Sequence, residues 1–173
     1  MNSESKIFFS SFTIHKITFQ VISYDSDLIY LSPFSKDFNK SLEFFKKELN
    51  SEYVEKNDEE FIKLKEELIE YFNNKRVSFT ISYKTFGTEF QKKVWNILTT
   101  IPYGKTISYK EEASMLGNEK AFRAVANANG RNRISIIIPC HRVISHNGEI
   151  GGYTGGIDIK KELLRVESIN QKY

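Results

Sequence analysis

Two capping boxes in succession, Thr88-Glu-Phe-Gln91 and Ser108-Tyr-Lys-Glu111, limit what the second half of this chain can fold into. In each, the Thr or Ser hydroxyl can accept from the third helical N–H while the Gln or Glu side chain reaches back. Each box therefore predicts a helix that starts at a fixed residue. Behind the first, Phe90, Val94, Ile97 and Leu98 form a helical stripe that Pro102 stops. The helix behind the second closes at Gly117. Asn118 can then cap a third, about Glu119–Ala128, with Phe122, Val125 and Ala126 turned inward. Two short helices joined across Leu-Gly-Asn have the dimensions of a helix-turn-helix. Arg123 and Asn127 point away from the apolar face of its second helix, and Arg123 is the residue this pattern sets against DNA.

After the turn signal Asn129-Gly130, the run Ile134–Ile138 reads as a buried strand that Pro139 breaks, with Cys140-His141-Arg142 at its end. Val143–Ile144 and Glu149–Ile150 flank His146-Asn-Gly148, a hairpin signal. Gly151–Gly156 reads as a loop, and Asp158 as the cap of a last helix carrying Leu163, Leu164 and Val166. By pattern alone, Glu167 on that helix is an exposed acid. In the first half, Lys6–Phe12, Ile14–Tyr24 and Leu28–Leu31 predict strands, and Ser41–Asn50 and Asp58–Phe72 predict helices. Phe61, Leu64, Leu68 and Phe72 share one face of the second helix. Val77–Tyr83 is one more strand or an extended linker. The expectation is a mixed α+β chain. Residues 1–85 form a small supporting domain of sheet and helices. Residues 86–173 form a mainly helical domain with a helix-turn-helix and a short active-site strand.

The charge is uneven. Residues 1–85 carry 12 Lys and Arg against 14 Asp and Glu, and residues 86–173 carry 13 against 8. Within 118–142, Lys120, Arg123, Arg131, Arg133 and Arg142 face one acid, Glu119, an excess that can attract a phosphate backbone. No run approaches the roughly 18–20 apolar residues of a membrane span. The start MNSESKIFFSS lacks the form of a secretory signal. One cysteine excludes an internal disulfide and fits a reducing, intracellular compartment, the cytoplasm or, in a eukaryote, the nucleus. With three scattered histidines and one thiol, no metal site is expected.

Cys140 is the one nucleophile with an activator beside it. A thiol of pKa about 8.5 needs a base or a positive charge to become a thiolate at neutral pH. Adjacent residues at a strand end point opposite ways, so pairing Cys140 with His141 requires a bend after Pro139 or a bridging water. A buried structural cysteine beside a surface histidine stays open on chemistry alone. The glycine-rich loop lacks both phosphate-binding spacings. Its paired glycines around Tyr153 either let backbone approach a flat ligand or form a mobile loop.

Six segments together resemble one family, the O6-alkylguanine-DNA alkyltransferases: Gly87-Thr-Glu-Phe-Gln-Lys-Lys-Val-Trp95, Ile101–Tyr109, Lys120-Ala-Phe-Arg-Ala-Val125, Asn129-Gly-Arg-Asn132, Ile138-Pro-Cys-His-Arg-Val-Ile144 and Gly152-Tyr-Thr-Gly-Gly156. They cover nearly all of 86–167 in the family's order, and the Pro-Cys-His-Arg core is highly specific. The first half adds nothing to the resemblance. It implies that Cys140 accepts the alkyl group irreversibly, once per molecule, from O6-methylguanine in double-stranded DNA, with O4-methylthymine a further candidate. By the same resemblance His141 takes the thiol proton through a water, Glu167 orients the imidazole and Asn132 braces the turn. Arg123 resembles the finger that fills the gap left by the extruded nucleotide, and Tyr109 the tyrosine that crowds the adjoining phosphate. Ala124, Asn127 and Arg131 complete the minor-groove surface, and Tyr109, Ser135, Val143, Tyr153, Thr154 and Gly155 the substrate pocket. No cofactor, no membrane and a monomer are expected. Arg133 and Ser135 stand where many members carry proline. The competing readings are a non-catalytic binder of alkylated DNA, whose relatives replace the cysteine, and a thiol hydrolase that turns over repeatedly.

Overall fold

The computed structural model describes residues 6–33 and 36–168. The start of the segment read for a signal, Met1–Ser5, lies outside the described residues. Alternating β-branched and aromatic residues form β1 (Ile7–Ile14), β2 (Ile17–Tyr24) and β3 (Asp27–Ser32). Both connections are two-residue turns with positive φ throughout, His15-Lys16 and Asp25-Ser26, the mirror-image turn type that matches strand twist. A short strand that the sequence pattern did not suggest, β4 (Val54–Lys56), pairs parallel to β1 and gives the order β3-β2-β1-β4.

Each face of this sheet is apolar, because the alternation along β2 sends Phe19 and Val21 one way and Ile22 the other. Ile7, Ile22, Ile29 and Tyr30 pack on α1 (Phe38–Leu49) through Phe45. The opposite face meets α2 (Ile62–Phe72), which a single 3-10 turn, Glu59–Phe61, precedes. The same cluster continues into Val94, Trp95, Leu98, Ile134, Ile136 and Leu163, so residues from both halves share one core. After a bend at Val77 and Ser78, the chain bonds the edge of β3, with Leu28 N donating to Ser82 O at 2.9 Å. That pairing covers part of an otherwise open strand edge.

Both capping boxes form. Thr88 and Gln91 open α3 (Glu89–Leu98), and Ser108 and Glu111 open α4 (Tyr109–Met115). The Trp95 indole N–H donates to Ala128 O at 2.9 Å, tying α3 to α5 (Phe122–Gly130). A Cβ at Gly87 would come within 2.5 Å of the Trp95 ring, so the residue before the first box must be small.

Four expectations need correction. Ile134–Ile138 is buried but is not a strand. Leu31 N donates to Arg133 O and Ser135 N to Leu31 O, and then the chain turns back as Ile138 N bonds Ile134 O. Ile136 holds φ 73, which a β-branched residue adopts only when its surroundings impose it. Hydrophobicity reported the burial of this run and could not report its turn. Phe122 lies outward and 42% exposed as the first residue of α5, which a 3-10 turn at Glu119–Ala121 precedes. Asp158 sits in the first turn of α6 (Ile157–Glu167), whose cap is Gly156. Glu149–Ile150 forms no strand. Only the turn remains, with Ser145 N donating to Glu149 O, while β6 (Val143–Ile144) pairs parallel to β5 (Ile107–Ser108).

Candidate active site and nucleic-acid interface

Pro139 ends the turned segment, and Cys140–Arg142 forms one 3-10 turn, which is the bend after Pro139 that the sequence required. Cys140 is 8% exposed. Its Sγ accepts from Asn132 Nδ2 at 3.2 Å. The same nitrogen donates to Ile138 O at 2.8 Å, and Asn132 Oδ1 accepts from Ile134 N at 2.9 Å. One carboxamide thus pins both ends of the turned run to the thiol. Burial pushes the Cys140 thiol up, while the Asn132 hydrogen bond and the Lys160 charge pull it down.

His141 is fully buried, and its Nε2 lies 2.6 Å from Glu167 Oε1. Arg142 grips the same carboxylate from Nε at 2.9 Å and from its second terminal nitrogen at 3.0 Å. Tyr71 Oη donates to Glu167 Oε1 at 2.7 Å and Gly104 N to Oε2 at 3.2 Å. Burial alone would push Glu167 up, but the facing His141 and Arg142 hold it well below the usual carboxylate range. Burial holds His141 below its ordinary value against the pull of Glu167, so the ring is neutral at pH 7. With Glu167 ionised, Nε2 carries the proton and Nδ1 the lone pair. Nδ1 has no hydrogen-bond partner among the described residues.

A cleft of about 410 Å³ opens beside Cys140, and Tyr109, Asn129, Gly152, Tyr153 and Thr154 help to line it. Tyr109 Oη contacts Gly152 O at 3.5 Å. Gly151 has φ 73, and a Cβ there would stand 3.3 Å from the Tyr109 ring, so this wall approaches as backbone. Of the pocket residues read from sequence, Tyr109, Tyr153 and Thr154 line the cleft. Ser135, Val143 and Gly155 do not. Ser135 faces a neighbouring cavity with Arg131 and Arg133, Val143 is fully buried, and Gly155 packs against Pro33. Arg133 stacks its guanidinium 4.1 Å over Phe44 and ties α1 to the segment that leads to Cys140.

Arg123, Ala124 and Asn127 are exposed on α5, and Arg131 is exposed just beyond it. Arg123 lies 5.7 Å over the Phe122 ring, so a cation and an exposed aromatic stand side by side at the start of this helix.

Sequence reading missed three participants. Lys160 is fully buried, and its Nζ donates to Val143 O at 2.6 Å and Gly152 O at 3.1 Å. Burial brings it down to about 8, against the opposing pull of Cys140. Its spacing from Leu163, Leu164 and Glu167 on one helical face was the signal available. Arg142 as the second holder of Glu167, and Tyr71 as a donor from α2, had no local signal.

Comparisons with known proteins converge. Residues 89–169 match the model of the 6-O-methylguanine DNA methyltransferase DNA-binding domain. The chain is 50% identical over 120 residues to the methylated-DNA–protein-cysteine methyltransferase of Methanosarcina acetivorans, covering 69% of this chain and 76% of that protein. It is 36% identical to the inducible enzyme of that name from Bacillus subtilis, over 86% of this chain and 83% of that one. The Mycobacterium tuberculosis O6-methylguanine methyltransferase superposes with a TM-score of 0.83 at 32% identity, covering 96% of this chain and 95% of that one. The OGT of the same organism in complex with DNA gives 0.82 at 33% identity, covering 94% and 93%.

Proposed function

The chain belongs to the O6-methylguanine DNA methyltransferase family, and from that premise we propose that it repairs DNA by moving the alkyl group of an O6-alkylated guanine onto Cys140. The observation that carries this reading is the solitary thiol bonded to Asn132, followed directly by His141, whose Nε2 is fixed on Glu167. His141 Nδ1 takes the Cys140 proton through a bridging water, which is the base-plus-orienter arrangement of other activated nucleophiles. The thiolate displaces the O6-bound carbon, so a carbon–sulfur bond forms as the carbon–oxygen bond breaks. The proton passes from the imidazolium to the departing guanine. The thioether offers a poor leaving group, and the sequence holds no second thiol to clear it, so each molecule acts once.

Guanine O6 inside a duplex is closed to in-line attack by sulfur, so the nucleotide leaves the stack at a cost of a few kcal/mol. The exposed face of α5 enters the minor groove, Arg123 fills the vacated position, and Tyr109 crowds the adjoining phosphate. Ala124, Asn127 and Arg131 contact the groove wall and backbone without reading sequence. O4-methylthymine presents the same alkyl–oxygen chemistry. The division near residue 85 is one of function: residues 1–85 support, and 86–173 bind DNA and react, as a monomer. Titration with a duplex bearing O6-methylguanine tests the reading. One lesion lost per protein is expected, and catalytic turnover or binding without loss would overturn it.

A further inference from the structure

Glu112 is fully buried on α4, and Asn129 is buried on α5, where it forms part of the wall of the Cys140 cleft. Asn129 Nδ2 donates to Glu112 Oε2 at 2.7 Å. Glu112 Oε1 and Asn129 Oδ1 are both buried, and neither has a hydrogen-bond partner among the described residues. Buried polar atoms are paired in nearly all native structures, so two orphans on one contacting pair of side chains demand a common cause.

We propose that Glu112 is held as the neutral acid and closes a two-bond ring with the Asn129 carboxamide, a positioning pair that joins the two helices of the helix-turn-helix behind the Cys140 cleft. A carboxylic acid and a carboxamide are complementary: the amide N–H meets one acid oxygen, and the acid O–H meets the amide oxygen. The first of these bonds is present, and the two orphans are the two atoms that the second would join. One proton on Oε1 satisfies both.

The surroundings favour that proton. Burial lifts the Glu112 carboxyl to about 7, against the Asn129 bond that lowers it. Of the groups near it, Tyr109 on its own helix and Cys140 are acids whose ionisation its charge opposes. Cations on the elements packed against α4 are engaged or exposed. Lys92 of α3 pairs with Glu89, while Lys93, Lys120 and Arg123 face solvent. Lys110, on α4 itself, pairs with Glu119. His141 and Arg142 on the Cys140 turn are bound to Glu167, and Lys160 to two carbonyls. An ionised Glu112 breaks the ring and sets a negative charge against a developing thiolate.

Only the kinetic consequence rests on the transfer reading. The protonation state is tested without DNA, by titrating the full chain labelled with side-chain-carboxyl 13C glutamate. One resonance, absent in Glu112→Gln, is expected to ionise near pH 7, and ionisation near the ordinary 4.5 would overturn the ring. If Glu112→Gln does not fold, Asn129→Ala identifies the resonance by displacing its midpoint, and no displacement overturns the pairing. With an O6-methylguanine duplex, the ratio of alkylation rates, Glu112→Gln over wild type, rises severalfold as wild-type Glu112 ionises on going from about pH 6 to 8.5. A flat ratio overturns the link to the thiol. A wild-type protein inert on every alkylated substrate would count against the transfer reading and leave the titration to decide the pair.

Discussion

Glu167 Oε1 lies 2.6 Å from His141 Nε2, and this contact joins the last turn of α6 to the residue that follows the only thiol of the chain. The same carboxylate answers the buried Arg142, so one side chain both fixes a tautomer and neutralises a cation.

Replacing Glu167 with Gln therefore acts twice. Alkylation of Cys140 should slow about a hundredfold or more in single-turnover assays, as the imidazole loses the partner that keeps its proton on Nε2. Stability should fall by about 3–5 kcal/mol in urea melts, because Arg142 is left buried without its counter-charge. An unchanged rate would make Glu167 purely structural.

The pH dependence of stability follows from the same residue. Its folded pKa is depressed, so its contribution is present above the unfolded value near 4.5 and is lost as pH falls below it. Wild-type Tm should drop steeply on acidification in that window, and Glu167→Gln should flatten the drop. Parallel curves for the two proteins would refute this assignment.

Lys160 stands over the site as a buried cation whose charge favours the Cys140 thiolate. Lys160→Met should raise the apparent thiol pKa, read from the pH profile of iodoacetamide labelling. No displacement of that profile would confine Lys160 to its hydrogen bonds with Val143 and Gly152.

On α5 the expected effects divide by substrate. Arg123→Ala should slow repair of a lesion in duplex DNA about 10–100-fold, because the cost of unstacking a few kcal/mol loses its compensation. Reaction with free O6-benzylguanine should hardly change. Arg131→Ala should instead weaken binding on any sequence and lower the salt slope by about one. Equal losses of Arg123→Ala on both substrates would remove the finger role.

Legibility in the sequence followed the range of the interactions. Capping boxes are local, so α3 and α4 could be placed from Thr88 and Ser108, while Asn118 caps the 3-10 turn that leads into α5. Cys140 and His141 could be singled out as chemistry, yet Glu167 reads as a surface acid until Arg142 and Tyr71, from distant segments, are brought to it. The run 134–138 was legible as buried and illegible as turned, because its shape is set by backbone bonds to Leu31. Glu112 carried no warning either. Its burial depends on α5 crossing α4 and delivering Asn129.

The sulfur of Cys140 is where the account can be tested most directly. After reaction with one equivalent of duplex bearing O6-methylguanine, intact-mass and peptide analysis should find one added methylene mass, on Cys140 alone. Cys140→Ala should bind the same duplex and leave it methylated. A restored duplex beside an unmodified Cys140 would contradict the account.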